Sequence, residues 1–190
     1  MKAMTEIPQN RISLSKLEVA RRQLETAITM YFKRCDPVST HTLATAALEV
    51  LHDINKSRNG PPMLSDLEAS GVIRPDKLEI VRKAFRAPQN FFKHANTDPK
   101  GILDFNPEAT AGFILDAVEK YRELTGENPP ILRVFSLWFR VQWTEVFHFS
   151  NGEECGLAMA RSLYTLDAKA KFFADFLPRY VAEASKIAPK

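Results

Sequence analysis

The chain has 190 residues, 45% apolar and 26% charged, with 13 Phe against 7 Gly, a balance that excludes a disordered chain and suits a packed helical protein better than a turn-rich sheet protein. Its formal net charge of +3 does not by itself imply a polyanionic partner, because only a concentrated basic face would do that. Cys35 and Cys155 give neither a disulfide framework nor a zinc-ligand spacing, so they read as small packing residues in a reducing compartment. The N-terminus lacks the apolar core of a signal peptide, and no run approaches the ~18 apolar residues of a membrane span. The expectation is a cytoplasmic protein without membrane contact.

Residues 1–12 read as a loose arm and 13–190 as a single all-helical domain. From Leu14 onward, Leu17, Ala20, Leu24, Ala27, Ile28, Tyr31 and Phe32 recur at helical spacing, and Glu18 with Arg22 and Arg21 with Glu25 are helix-supporting pairs. Asp36 before Pro37 is a cap and first-turn signal, so a second helix returns antiparallel with a stripe of Leu43, Ala46, Ala47, Val50, Leu51 and Ile54. A turn follows over Asn59 to Met63, then a short helix from Leu64 to Ala69 ending at Gly71, and Pro75 opens a third helix. After an irregular stretch, Asn106 before Pro107 caps a helix that ends at Gly126. Pro129 and Pro130 start an aromatic-rich helix to about His148, which reads as core. The last two helices begin near Glu153 and Asp167, the final one with a stripe of Leu166, Ala170, Phe173, Leu177, Tyr180 and Ala184 interrupted by Pro178. The fold expected is all-α: an antiparallel hairpin, a kinked third helix, a second hairpin and a C-terminal helical pair.

The third helix carries the candidate site. Projected at about 100° per residue, Arg82, Lys83, Arg86, Gln89, Asn90 and Lys93 share one side with His94 at its edge, a basic face suited to nucleic-acid phosphates. Leu78, Val81, Phe85, Phe91 and Phe92 share the other, which predicts Phe85, Phe91 and Phe92 buried together against the first hairpin. Pro88 lacks a backbone donor and crowds Ala84, so it should kink the helix there. Arg86, Asn90 and His94 are the candidate catalytic set: His can move a proton near neutral pH, and Arg can stabilise charge on a phosphate.

With its two-helix hairpin, third helix and the run QNFFKH at Gln89 to His94, residues 14–125 resemble the HEPN superfamily. The resemblance implies a small all-helical bacterial domain, often a homodimer, with either ribonuclease activity or a binding role in a toxin or defence system. The family's motif is an Arg, commonly followed by a polar residue such as Asn, with a His four to six residues beyond the Arg. Asn90 and His94 match the polar residue and the His, while Gln89 stands where the family keeps its Arg and the nearest Arg is Arg86. That pattern implies a non-catalytic binding or assembly module of a defence or toxin–antitoxin type system, with RNA or protein as partner and no cofactor. The enzymatic alternative is a metal-independent endoribonuclease.

A third reading belongs to another class. Glu49 to His52 and Glu145 to His148 both read Glu-x-x-His, the spacing of ferritin-like di-iron helices, with Glu18 or Glu25 and Asp116 or Glu119 as the further carboxylates. Against it, Glu49, His52, Asp116 and Glu119 project opposite the apolar stripes of their helices, and no metal is expected. His41, Thr45, Glu49 and His52 share one face of the second helix, read as a solvated or hydrogen-bonded polar surface.

Overall fold

Helix α1 (Lys16–Phe32) starts at Ser15, whose hydroxyl accepts the Glu18 N–H at 3.1 Å and satisfies one of the open donors of the first turn. In the computed structural model, which describes residues 11–63, 66, 87–96, 98–144 and 151–187, its expected stripe is inside: Ala20, Leu24, Ala27, Ile28, Tyr31 and Phe32 are all buried. The expected ion pairs lie outside, Arg22 to Glu18 at 2.5 Å and Arg21 to Glu25 at 2.8 Å. The helix closes in a Schellman turn, with Arg34 left-handed at φ 53° and the Cys35 N–H donating to the Met30 carbonyl at 2.9 Å. Cys35 is exposed rather than packed, because it follows the left-handed residue on the outside of that turn. The side chain of Cys155 lies outside the described residues.

Helix α2 (Pro37–Ser57) begins at once, with the Asp36 carboxylate accepting the Ser39 N–H at 2.7 Å and Pro37 in the first turn. So short a link makes α1 and α2 an antiparallel hairpin. Its buried arc differs from the expected stripe. Thr40, His41, Ala44, Thr45, Ala47, Leu48, Leu51 and Asn55 are inside, while Leu43, Ala46, Val50 and Ile54 are half-buried. The reason is that α2 packs on α1 along one side and on α4 along another, so the arc is wider and turned toward the small Ala44 and Ala47. The expected turn is present: Asn59 has φ 51°, and the Gly60 N–H donates to the Asn55 carbonyl at 2.9 Å.

The predicted short helix after Leu64, the Pro75 start, Phe85 and the kink at Ala84 lie outside the described residues, as do Arg82, Lys83 and Arg86. Residues 87–93, the described part of α3, are helical. The Asn106 side chain accepts the Glu108 N–H at 3.1 Å, a 3-10 turn follows over Pro107–Ala109, and α4 (Thr110–Thr125) ends at Gly126 in the left-handed conformation at φ 71°. Helix α4 is covered by α1, α2 and α5 and buried on nearly every side. Asp116, expected outside, is therefore only 5% exposed.

Helix α5 (Pro130–Gln142) buries Leu132, Val134, Phe135, Trp138 and Val141, as its aromatic content predicts. It stops short of His148 because Trp143 leaves the helix to lay its ring on Phe139 at 4.2 Å. Helices α6 (Asn151–Leu163) and α7 (Lys169–Ile187) pack on α5. Leu166 and Ala170 are exposed, and the inward face of α7 is formed by Lys169, Phe172 and Phe173, followed by half-buried Phe176, Leu177 and Tyr180. Pro178 does not interrupt α7: it and Ala174, whose carbonyl it leaves without an N–H, are both exposed, so water can serve that carbonyl. One hydrophobic core draws on α1, α2, α4, α5 and α7. Among the described residues there is no strand, and no helix is long and apolar enough to cross a membrane.

Candidate functional site

Among the described residues, α3 meets α2 at Glu49 and at His41. Gln89 and Lys93, one helical turn apart, each take one oxygen of its carboxylate: the Gln89 amide donates to Oε1, and the Lys93 ammonium lies 3.1 Å from Oε2. Two residues expected to meet nucleic acid are thus engaged by a carboxylate of the same chain. Glu49 is 59% exposed and Lys93 32%, so the pair adds little stability; its consequence is local charge neutrality. Asn90 and His94 are exposed, and the His94 N–H closes the last turn on the Asn90 carbonyl at 3.0 Å. Arg86, the cation of the proposed catalytic set, is outside the described residues.

Beneath this polar face is an aromatic one. Phe91 and Phe92 are half-buried rather than fully buried, because α3 sits at the edge of the bundle. The Phe92 ring lies 5.7 Å from His41 and 5.1 Å from Phe105. His41 also meets Phe105 at 5.1 Å and Phe113 at 4.9 Å. Of the solvated and hydrogen-bonded alternatives for its face, His41 takes the second: it is 1% exposed. Its Nδ1 is 3.0 Å from the Thr110 hydroxyl, and Nε2 has no hydrogen-bond partner among the described residues. Thr45, also buried, donates its hydroxyl to the His41 carbonyl at 2.9 Å.

Burial, with a smaller contribution from Lys93, pushes the His41 imidazole down to about 4. The unfolded chain takes up this proton near the ordinary value of 6.5, so the stability contributed by neutral His41 is complete above that pH and is lost as pH falls toward 4. About 2 kcal/mol should disappear between pH 6.5 and 5. Urea unfolding at pH 7 and pH 5 checks this: the wild type should lose that amount more than a His41→Phe variant, and equal losses would contradict it.

The candidate dimetal ligands are engaged elsewhere. Glu49 holds Gln89 and Lys93, while His52 Nε2 lies 2.7 Å from Asp66, whose other oxygen accepts the Met63 N–H at 2.8 Å. Glu119 is paired with Arg122 at 3.0 Å. No group of three or more potential ligands converges among the described residues, and Glu145 and His148 lie outside them. A second ionisable cluster escaped sequence reasoning: Glu108 accepts from the Tyr31 hydroxyl and from Lys169 Nζ at 2.7 Å, with the same ammonium 4.0 Å over the Tyr31 ring. Burial opposes ionisation of Glu108, but the bonds from Lys169 and Tyr31 outweigh it and hold the carboxyl below its usual value. The Tyr31 phenol is pushed up by burial and by its bond to Glu108. A shallow depression of about 500 Å³ is lined by Arg22, Glu25, Thr26, Thr29, Met30 and Ile131; of the candidate residues it holds Glu25 alone, which is paired with Arg21 at 2.8 Å.

No family model, no curated protein and no solved structure matches the chain. The signal that could have turned α2 correctly was the pair Ala44 and Ala47, since small residues mark a close helix approach. Nothing in the sequence pairs Glu49 with Gln89 and Lys93.

Proposed function

We propose that the chain is a non-catalytic helical module of the HEPN-like kind, binding or assembling with another protein in a bacterial defence or toxin–antitoxin type system. The observation that carries this reading is Gln89. It stands where the resembling family keeps a cation, and its amide is held by Glu49, which also neutralises Lys93. A face whose described cation is already paired offers little to a phosphate backbone. Met159 and Leu163, one turn apart on α6, and Leu166 just after it are 68%, 63% and 44% exposed, apolar surface of the sort that protein contacts use.

Filter binding of unstructured RNA at about 50 and 200 mM salt tests it, because each phosphate contact to a single strand contributes about 0.7 to the log–log salt slope. The expected result is no salt-dependent retention. A slope of several units would replace the protein-binding reading with an RNA-binding one.

A metal-independent endoribonuclease is the second reading. It is supported by Asn90 and His94, which are both exposed and one helical turn apart, so a substrate can reach them.

A further inference from the structure

Beyond the last turn of α3 the described residues before Phe105 are exposed except for half-buried Leu103, with Ile102 97% exposed. Both ends of this run are pinned on one side chain. His41 meets Phe92 at 5.7 Å and Phe105 at 5.1 Å, the two rings meet each other at 5.1 Å, and Phe113 of α4 closes a third side at 4.9 Å. An imidazolium carries a proton on both nitrogens and requires an acceptor for each. Here the Thr110 hydroxyl serves Nδ1 at 3.0 Å, whereas Nε2 is buried without a hydrogen-bond partner among the described residues. Charging the ring and keeping the cage closed are therefore in conflict.

We infer that His41 is an acid-released clasp: neutral, it holds the Phe92 and Phe105 rings against α2 and α4, and on protonation it releases them. This device is independent of the binding reading above. The titratable groups brought near it support the same direction. Helix α3 brings Lys93, which opposes a second positive charge. Glu49 of α2 is held by Gln89 and Lys93, and Glu108, before α4, by Tyr31 and Lys169. The run between the two rings also carries His94, Asp98, Lys100 and Asp104, and α4 carries Asp116; Lys93 is the charge that disfavours the imidazolium.

Amide hydrogen exchange of the whole chain from pH 7.5 to 5, corrected for the intrinsic pH dependence, tests the clasp. Protection of the His94 and Gly101 N–H groups, which bond the Asn90 and Asp98 carbonyls within the run between the two rings, should fall about tenfold per pH unit below 6.5, about 30-fold by pH 5. The opening should be insensitive to low urea, as a local opening is. In His41→Phe, which keeps an aromatic ring but cannot titrate, protection should not change with pH. Because that variant can fail to fold, a reciprocal measurement is made on Phe105→Leu, where loosening the cage should bring the NMR titration of His41 back toward 6.5. A flat wild-type profile, a pH response retained in His41→Phe, or a His41 titration unmoved in Phe105→Leu would each overturn the inference.

Discussion

Replacing Trp138 by Ala lowers the unfolding free energy by about 3–5 kcal/mol, the cost of deleting a fully buried indole from a packed core. Trp138 is 0% exposed and joins α1 to α5 and to the residue that follows α5. It meets Tyr31 at 5.2 Å and Phe32 at 5.5 Å on α1, Phe135 at 5.7 Å on α5 itself, and Trp143 at 5.3 Å beyond its end. Phe32 in turn stacks on Phe173 of α7 at 4.7 Å, so the cavity opens where the hairpin, α5 and the C-terminal helix converge. The indole N–H has no hydrogen-bond partner among the described residues. Trp138→Phe should accordingly cost well under half as much, since only volume is lost. Denaturant unfolding of both variants decides the matter, and equal losses would show that the N–H rather than the ring volume is what the core requires.

The second large effect is electrostatic. Lys169 has a side chain only 7% exposed and its ammonium is 2.7 Å from Glu108. Glu108→Ala leaves that charge and the Tyr31 hydroxyl without this acceptor. Breaking a buried pair costs about 3–5 kcal/mol, and since the Glu108 side chain is 44% exposed the loss should be near the lower end, about 3 kcal/mol. Adding Lys169→Met removes the stranded charge and should restore part of it. If the double variant is no more stable than the single one, the buried ammonium is not the source of the loss. Ionised Glu108 contributes stability above pH about 4.5 that is lost at lower pH, so this contribution is separable from that of His41, which begins to fall at pH 6.5.

The helical architecture was legible because local signals agreed: Asp36 and Asn106 cap the helices they precede, and Gly126 ends α4; the Ser15 cap of α1 is a further signal of the same kind. The face of α1 was legible for a related reason, since it presents one wide apolar stripe. Helices covered on more than one side were not. On α2 and α4 the expected outer faces hold His41, Thr45 and Asp116, all buried, because a second neighbour covers them. On α7 the inward place was assigned to Leu166 and Ala170, whereas Lys169 takes it to reach Glu108. Of the expected polar face, Arg82, Lys83 and Arg86 lie outside the described residues, and the partner of Gln89 and Lys93, Glu49, is forty positions from Gln89, so that only the packing of α3 on α2 brings it there.

The central claim, that this polar face does no chemistry on RNA, is tested most directly by incubating unstructured RNA with the wild type and with His94→Ala and following strand scission. The RNA should remain intact with both proteins. Scission by the wild type that disappears in His94→Ala would contradict it, because it would identify His94 as the proton-transfer group of a working nuclease.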